Sequence, residues 1–293
     1  MLRTRLWMGT LLIALAIGAV VLDQWLTPPW YPFLFVLVLL LALLGCHEVL
    51  HLLGTGRRPA SWLCYTAVTC LVSANWLPVV FAALSPRSTV NRDPWTWISA
   101  VFAAAVLAAF LAEMAAFHVP GESVARIALA VWIAAYLGLL PSFLIQLRWP
   151  RGFERNGVDP RSTTALLLAI FVPKCGDIGA YFIGRLLGRR RMAPTLSPKK
   201  TWEGASGGVA TSVLAAIGID RLGPVVRGGW ASAAALGAAL GIAGIFGDLS
   251  ESLIKRDCRQ KDASQVVPGF GGVLDVVDSI LFAAPVAYWW IRL

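Results

Sequence analysis

Two pairs of carboxylates near the C-terminus are spaced for joint chemistry: Asp248 with Glu251, and Asp275 with Asp278. On a helix an i, i+3 spacing puts both members of a pair on one face. Asp275 and Asp278 stand in an apolar stretch with no cationic neighbour in sequence, so a salt-bridged surface helix explains them poorly. Carboxylates that converge near a membrane surface, with no His or Cys beside them, describe an all-oxygen site for a hard cation. Mg2+ held between carboxylates and substrate phosphates is the usual arrangement. Between the two pairs lie Lys255, Arg256, Arg259, Lys261 and Asp262, then a Pro-Gly-x-Gly-Gly turn from Pro268 to Gly272.

A second constellation precedes it. The stretch 174–208 carries Asp177, the basic run Arg189 to Arg191, and then Ser197-Pro198-Lys199-Lys200-Thr201 just ahead of Trp202, Glu203 and Gly204. Two lysines beside hydroxyls and a helix start suit a polyphosphate. The ammonium groups neutralise charge, while hydroxyls and helix N-terminal N–H groups take the oxygens. A solvated basic loop facing the cytoplasm is the plainer alternative, and Thr201 or Ser197 would serve equally as an ordinary helix cap. A third pattern points elsewhere. His47-Glu48-Val49-Leu50-His51 is an HExxH, which on a membrane helix suggests a zinc-dependent intramembrane protease. Such a site needs a third ligand, and the one other histidine is His118.

The elements that must position these residues follow from composition. The 293 residues are 58% hydrophobic and 14% charged, with a mean hydropathy of +0.71. A soluble domain has roughly 45–50% apolar residues and about 25% charge, so this is the composition of a bilayer protein without a large soluble domain. Apolar runs at 6–26, 31–50, 61–84, 95–117, 126–147, 164–187, 205–222, 229–247 and 271–291 predict an all-α, polytopic transmembrane bundle of about nine spans. The N-terminus has the charge-then-apolar order of a signal peptide, but further spans follow, and it reads as an uncleaved first helix. Five scattered cysteines without a CxxC pair argue against a disulfide framework or a zinc cluster. The net charge of +9 fits anionic headgroups and positive-inside loops rather than nucleic acid.

Polarity divides the chain. Residues 1–160 read as plain structural, lipid-facing helices, and residues 161–293 as a catalytic region in which Lys174, Asp177, Arg185, Glu203 and the four carboxylates crowd into or beside the spans. Charge at membrane depth is costly and usually lines a site. Segments 188–204 and 248–270 are separated by two spans, so they share a side, and the Lys/Arg bias makes that side cytoplasmic. The two segments are expected to meet Asp275 and Asp278 in one cytoplasm-facing cavity. Intramembrane Lys174, Asp177 and Asp275 would also suit the pathway of a transporter.

Ser252-Leu253-Ile254-Lys255-Arg256, four residues, Lys261-Asp262, and then Pro268 through Asp278 resemble the signature of phosphatidate cytidylyltransferases (CDP-diacylglycerol synthases). That signature reads S-x-h-K-R-x4-K-D and then G-H-G-G-h-x-D-R-h-D, with h apolar. Ser197-Pro198-Lys199-Lys200-Thr201-x-Glu203-Gly204 and Asp177-x-x-Ala180-Tyr181 resemble further family segments in the same order, and the likeness runs over residues 164–290. Phe270 stands where the family has histidine, and Val276 where it has arginine.

The resemblance implies transfer of the cytidylyl group of CTP to phosphatidic acid, giving CDP-diacylglycerol and pyrophosphate for phospholipid synthesis. Carried over by position, Asp248, Asp275 and Asp278 would hold Mg2+, with a second cation admitted. Lys199, Lys200, Lys255, Arg256 and Lys261 would face the triphosphate and the lipid phosphate. Ser197, Thr201 and Glu203 would order the loop or the nucleotide, and Asp177, Ser252 and Asp262 would complete the substrate-binding set. The implied setting is the inner membrane among its lipids, with a homodimer admitted.

Overall fold

The computed structural model describes residues 2–27, 30–84, 93–118, 120–149, 161–260, 264 and 271–292. They form helices α1 (Leu2–Leu26), α2 (Pro32–Leu52), α3 (Gly54–Arg57), α4 (Ser61–Ala74), α5 (Leu77–Leu84), α6 (Pro94–Ala115), α7 (Ser123–Ala134), α8 (Leu140–Gln146), α9 (Arg161–Leu187), α10 (Trp202–Leu222), α11 (Gly229–Asp257) and α12 (Leu274–Arg292), with strands β1 (Arg191–Ala193) and β2 (Ser197–Thr201). The protein is all-α and polytopic, as its composition requires. Seven helical stretches among the described residues are long and apolar enough to cross a membrane. The bent pair α4 and α5, 55° apart, makes an eighth if it is counted as one span. The remaining predicted run is α10, a 21-residue helix whose first half is mostly Gly, Ala and Ser.

The chain divides into two compact units. The first comprises Met1–Ile145, Arg151–Val158 and Ala263–Val273. Local polar groups set its breaks. Buried Asp23 accepts from the N–H groups of Phe33 (3.0 Å) and Leu34 (2.7 Å), satisfying donors that the start of α2 leaves open. At the α4–α5 bend the Asn75 amide donates to the Leu71 and Val72 carbonyls and to Ser142 Oγ. A π-helical turn, Ala135–Leu139, joins α7 to α8 and places Gly138 against the side chain of Leu71. Ala67, Leu71, Ala74, Ile98 and Ala134 form a core cluster.

The second unit comprises Gln146–Pro150, Asp159–Asp262 and Leu274–Leu293. Its helices approach closely because small residues face one another. A methyl group at Gly208 would stand 2.8 Å from the carbonyl oxygen of Gly176, and Gly241 faces Ser212. Packing of this kind needs no difference in hydrophobicity between helix and lipid.

Two segments expected as loops carry regular structure. Within 188–204, β1 and β2 pair antiparallel, with Arg191 opposite Thr201 and Ala193 opposite Ser197. Within 248–270, α11 continues to Asp257, so Asp248, Glu251, Ser252, Lys255 and Arg256 all ride on a helix. The i, i+4 ion pair of Glu251 with Lys255 (3.0 Å) accompanies this extension.

Candidate active site

Three helices of the second unit bring charge together. On α11, Asp248 and Glu251 face Asp278 of α12, and ligand oxygens from the three carboxylates lie within 4.8 Å of one another. Gly247 permits this approach, since a methyl there would collide with the main-chain carbonyl of Asp278. Lysines surround the group. Lys200 of β2 pairs with Asp248 at 2.6 Å. Lys174 of α9 pairs with Asp278 (3.2 Å) and with Asp177 (3.3 Å). Lys255 bridges Glu251 (3.0 Å) and Asp275 (2.7 Å). Ser279 ties the ends together, its hydroxyl donating to Asp177 and its N–H to Asp278.

Among the described residues, with all groups ionised, the carboxylates Asp177, Asp248, Glu251, Asp275 and Asp278 outnumber the ammonium groups of Lys174, Lys200 and Lys255 by two. An excess of two negative charges at membrane depth is costly unless a cation offsets it. Glu251 points to where that cation fits. Its Oε1 is buried without a hydrogen-bond partner among the described residues, while Oε2 is held by Lys255. The donors are all oxygen, the set a hard divalent ion such as Mg2+ takes. The residues present therefore fit the metal that the sequence resemblance implies.

The sequence-predicted residues fall into three groups. Asp177, Lys200, Asp248, Lys255, Asp275 and Asp278 belong to the charged cluster, although Asp275 is engaged by Lys255 and does not belong to the convergent carboxylate group. A second set builds the hairpin and its junctions. Thr201 caps α10 by accepting from the Gly204 N–H at 3.1 Å, and Glu203 accepts from the N–H groups of Arg189 and Arg190. Those donors, that of Arg189 foremost, hold the Glu203 carboxyl below the usual carboxylate range. Arg256 docks the hairpin turn on the end of α11 by donating to the Leu196 carbonyl at 3.3 Å. Ser197 opens β2, and Lys199 is exposed beside the half-buried Lys200. Ser252 follows Glu251 on α11 and is half-buried. Lys261, Asp262 and Phe270 lie outside the described residues.

Residue spacing marked Glu251 for a cation site and set Lys174 among the charges at membrane depth, while the family resemblance gave neither a role. The signals were there, in the i, i+3 spacing of Asp248 to Glu251 and of Lys174 to Asp177. Ser279 carried no signal beyond its position next to Asp278.

The model of the cytidylyltransferase family matches residues 3–293. The chain belongs to the cytidylyltransferase family. It is similar to the phosphatidate cytidylyltransferase of Synechocystis sp., with 39% identity over 54% of this chain and 59% of the relative. The corresponding values are 43%, 43% and 46% for the phosphatidate cytidylyltransferase of Haemophilus influenzae, and 34%, 58% and 52% for that of Mycobacterium bovis. The chain thus spans about half the length of the curated relatives it matches.

The geometry within this chain does not favour the rival readings. The intramembrane charges that suit a transporter pathway, Lys174, Asp177 and Asp275, are engaged in ion pairs within one cluster. The HExxH residues point different ways. His47 and His51 are exposed and Glu48 is buried, with Glu48 Oε1 accepting from the Val273 N–H (2.8 Å) and from Ser264 Oγ. His47 Nδ1 meets Tyr65 Oη at 3.1 Å. Neither histidine joins a convergent metal-ligand group among the described residues.

Proposed function

We propose that this chain transfers the cytidylyl group of CTP to phosphatidate, releasing pyrophosphate and CDP-diacylglycerol. The observation that carries the reading is the convergence of Asp248, Glu251 and Asp278 with Lys200 at hand, all oxygen donors and one cation, in a chain of the cytidylyltransferase family. The names of the relatives supply the acceptor lipid.

In the reaction an oxygen of the phosphatidate headgroup forms a bond to the α-phosphorus of CTP, and the bond to the bridging oxygen of pyrophosphate breaks. A phosphate monoester has its second pKa near 6, so the nucleophile is largely dianionic at neutral pH and the protein need not remove a proton. The task left to the chain is positioning and charge neutralisation. Asp248, Glu251 and Asp278 would hold Mg2+, which neutralises triphosphate charge and favours departure of pyrophosphate. Lys200 pairs with Asp248 and is placed to turn to a phosphate oxygen when CTP enters. Lys255 fixes the orientation of Glu251, and Lys174 does the same for Asp278. Thr201, Glu203 and Arg256 hold the hairpin that presents Lys200. The hairpin and the C-terminal end of α11 belong on the cytoplasmic face of the inner membrane, where CTP and the lipid headgroup meet.

The test is turnover of CTP by the purified, detergent-solubilised protein with phosphatidate and Mg2+, beside Asp278→Asn. CDP-diacylglycerol and pyrophosphate formed by the parent and lost in the variant are expected. A folded parent that converts no CTP, or a variant as active as the parent, overturns the reading.

A further inference from the structure

Between a carboxylate of α9 and one of α12 stands an ammonium group. Lys174 Nζ lies 3.3 Å from Asp177 Oδ2 and 3.2 Å from Asp278 Oδ1. Ser279 completes the link: its hydroxyl donates to the same Asp177 oxygen at 3.0 Å, and its N–H to the same Asp278 oxygen at 2.6 Å. The helices that carry these groups are pressed together nearby. A Cβ added to Gly244 of α11 would stand 3.0 Å from Pro173 Cβ of α9 and 3.4 Å from Ser279 Cβ of α12. Pro173 precedes Lys174, Ser279 follows Asp278, and Asp248 lies one turn beyond Gly244. Close packing of this kind yields little, so the three helices set the gap between Asp177 and Asp278, and the ammonium fills it.

We propose that Lys174 is a built-in cation of the site: its ammonium stands where a second metal ion would otherwise bind, and it limits the site to one divalent ion. The proposal rests on the function given above only for what that single ion does. The number of ions follows from charge and geometry. Among the described residues, the carboxylates of the cluster exceed its ammonium groups by two, an excess that one divalent ion balances. Asp248, Glu251 and Asp278 offer that ion oxygens within 4.8 Å of one another. Without Lys174 the excess would be three, and Asp177 and Asp278 would keep Ser279 as their shared donor. Uncompensated charge at membrane depth is costly, and a second cation would offset it. Lysine is a compact charge on a flexible stem. Being tethered, it cannot exchange with ions in solution, so the occupancy of the site depends on one ion and not on two.

The test counts Mn2+ ions on the full chain in detergent by electron paramagnetic resonance, with CTP turnover on phosphatidate followed in parallel. Ions held at neighbouring positions couple magnetically, which separates a second site ion from Mn2+ on the surface. The parent should hold one Mn2+ in the site and show no coupled pair. Lys174→Met, neutral and of similar length, should hold two and show the coupled signal. Lys174→Arg keeps the charge and should stay at one. Adding Asp177→Asn to Lys174→Met restores the excess of two and should return the count to one. If Lys174→Met does not fold, Lys174→Gln, whose amide still donates to a carboxylate, carries the test.

A coupled pair in the parent, or a single Mn2+ in the folded neutral variants, overturns the proposal. A single ion bound about tenfold more weakly in those variants overturns it in favour of a lysine that only orients Asp278. A parent that holds one Mn2+ but converts no CTP removes the function, while a second ion in Lys174→Met would still establish the built-in cation.

Discussion

Lys200 on the β-hairpin meets Asp248 on α11 across 2.6 Å, so an ion pair joins the segment before α10 to the carboxylate cluster. The two side chains are 22% and 36% exposed, and a pair so placed adds at most about 1 kcal/mol to stability. On the proposed function, its value lies in delivering a cation to a phosphate. Lys200→Ala should lower kcat/KM for CTP about 100-fold with little change in Tm. Steady-state kinetics and thermal unfolding of the same preparations would show it, and a large fall in Tm with unaltered kinetics would contradict it.

Gly247 has no room for a methyl group because the Asp278 carbonyl occupies that space. Gly247→Ala should cost about 1–3 kcal/mol through overpacking and raise the Mg2+ concentration needed for half-maximal turnover, because Asp278 must shift. Gly18→Ala, where an added Cβ meets nothing within 4 Å among the described residues, is the matched control and should lower neither stability nor Mg2+ response. Equal behaviour of the two variants would rule out the close contact.

Glu203 makes the hairpin sensitive to acid. Its carboxyl is held below the usual range by the N–H groups of Arg189 and Arg190. A depressed folded-state pKa means that the stabilisation is complete above the unfolded value of roughly 4.3 and is lost as pH falls through the lower folded value. Amide exchange over 189–201 should therefore be slower in the parent than in Glu203→Gln at neutral pH, and the difference should vanish in strong acid. A difference that persists at low pH would exclude this anchor.

Glu113, which has no evident role in the sequence, forms an ion pair with Arg126 at 2.9 Å and accepts from its Nε at 3.0 Å, joining α6 to α7. Glu113 is 11% exposed, so Glu113→Gln should lower stability by about 1 kcal/mol, between the surface and buried limits. The turnover of each folded molecule should stay unchanged. Thermal unfolding paired with active-site titration separates the two.

Helix identity was legible because apolar runs of this length have one solution in lipid, and the i, i+3 spacings already marked the faces carrying Asp248, Glu251 and Asp278. Spacing along one helix does not say which face of a neighbour it meets. Lys255 takes Asp275, and Glu251 joins Asp248 and Asp278 in the carboxylate group. That choice depends on the register of α11 against α12, which the Gly247 contact helps set. The hairpin was hidden because Ser197-Pro198-Lys199-Lys200-Thr201 lacks the apolar alternation by which strands are recognised. Glu48 misled for a different reason. Its partner Ser264 is 216 residues away, and a local pattern carries no trace of so distant a contact.

The closeness of α11 and α12 at Gly247 has a mechanical consequence. The contact involves Asp278 itself, and Asp248 is the next residue after Gly247, so the two helices touch at the depth of these carboxylates. When bilayers thicken or thin, transmembrane helices tilt to match. A tilt of α12 would pivot about this fulcrum, swinging its far end, Tyr288 to Arg292, through a wide arc while Asp278 hardly moves. The spacing of Asp248 from Asp278 would then be set by glycine rather than by lipid, whatever the thickness of the membrane around it.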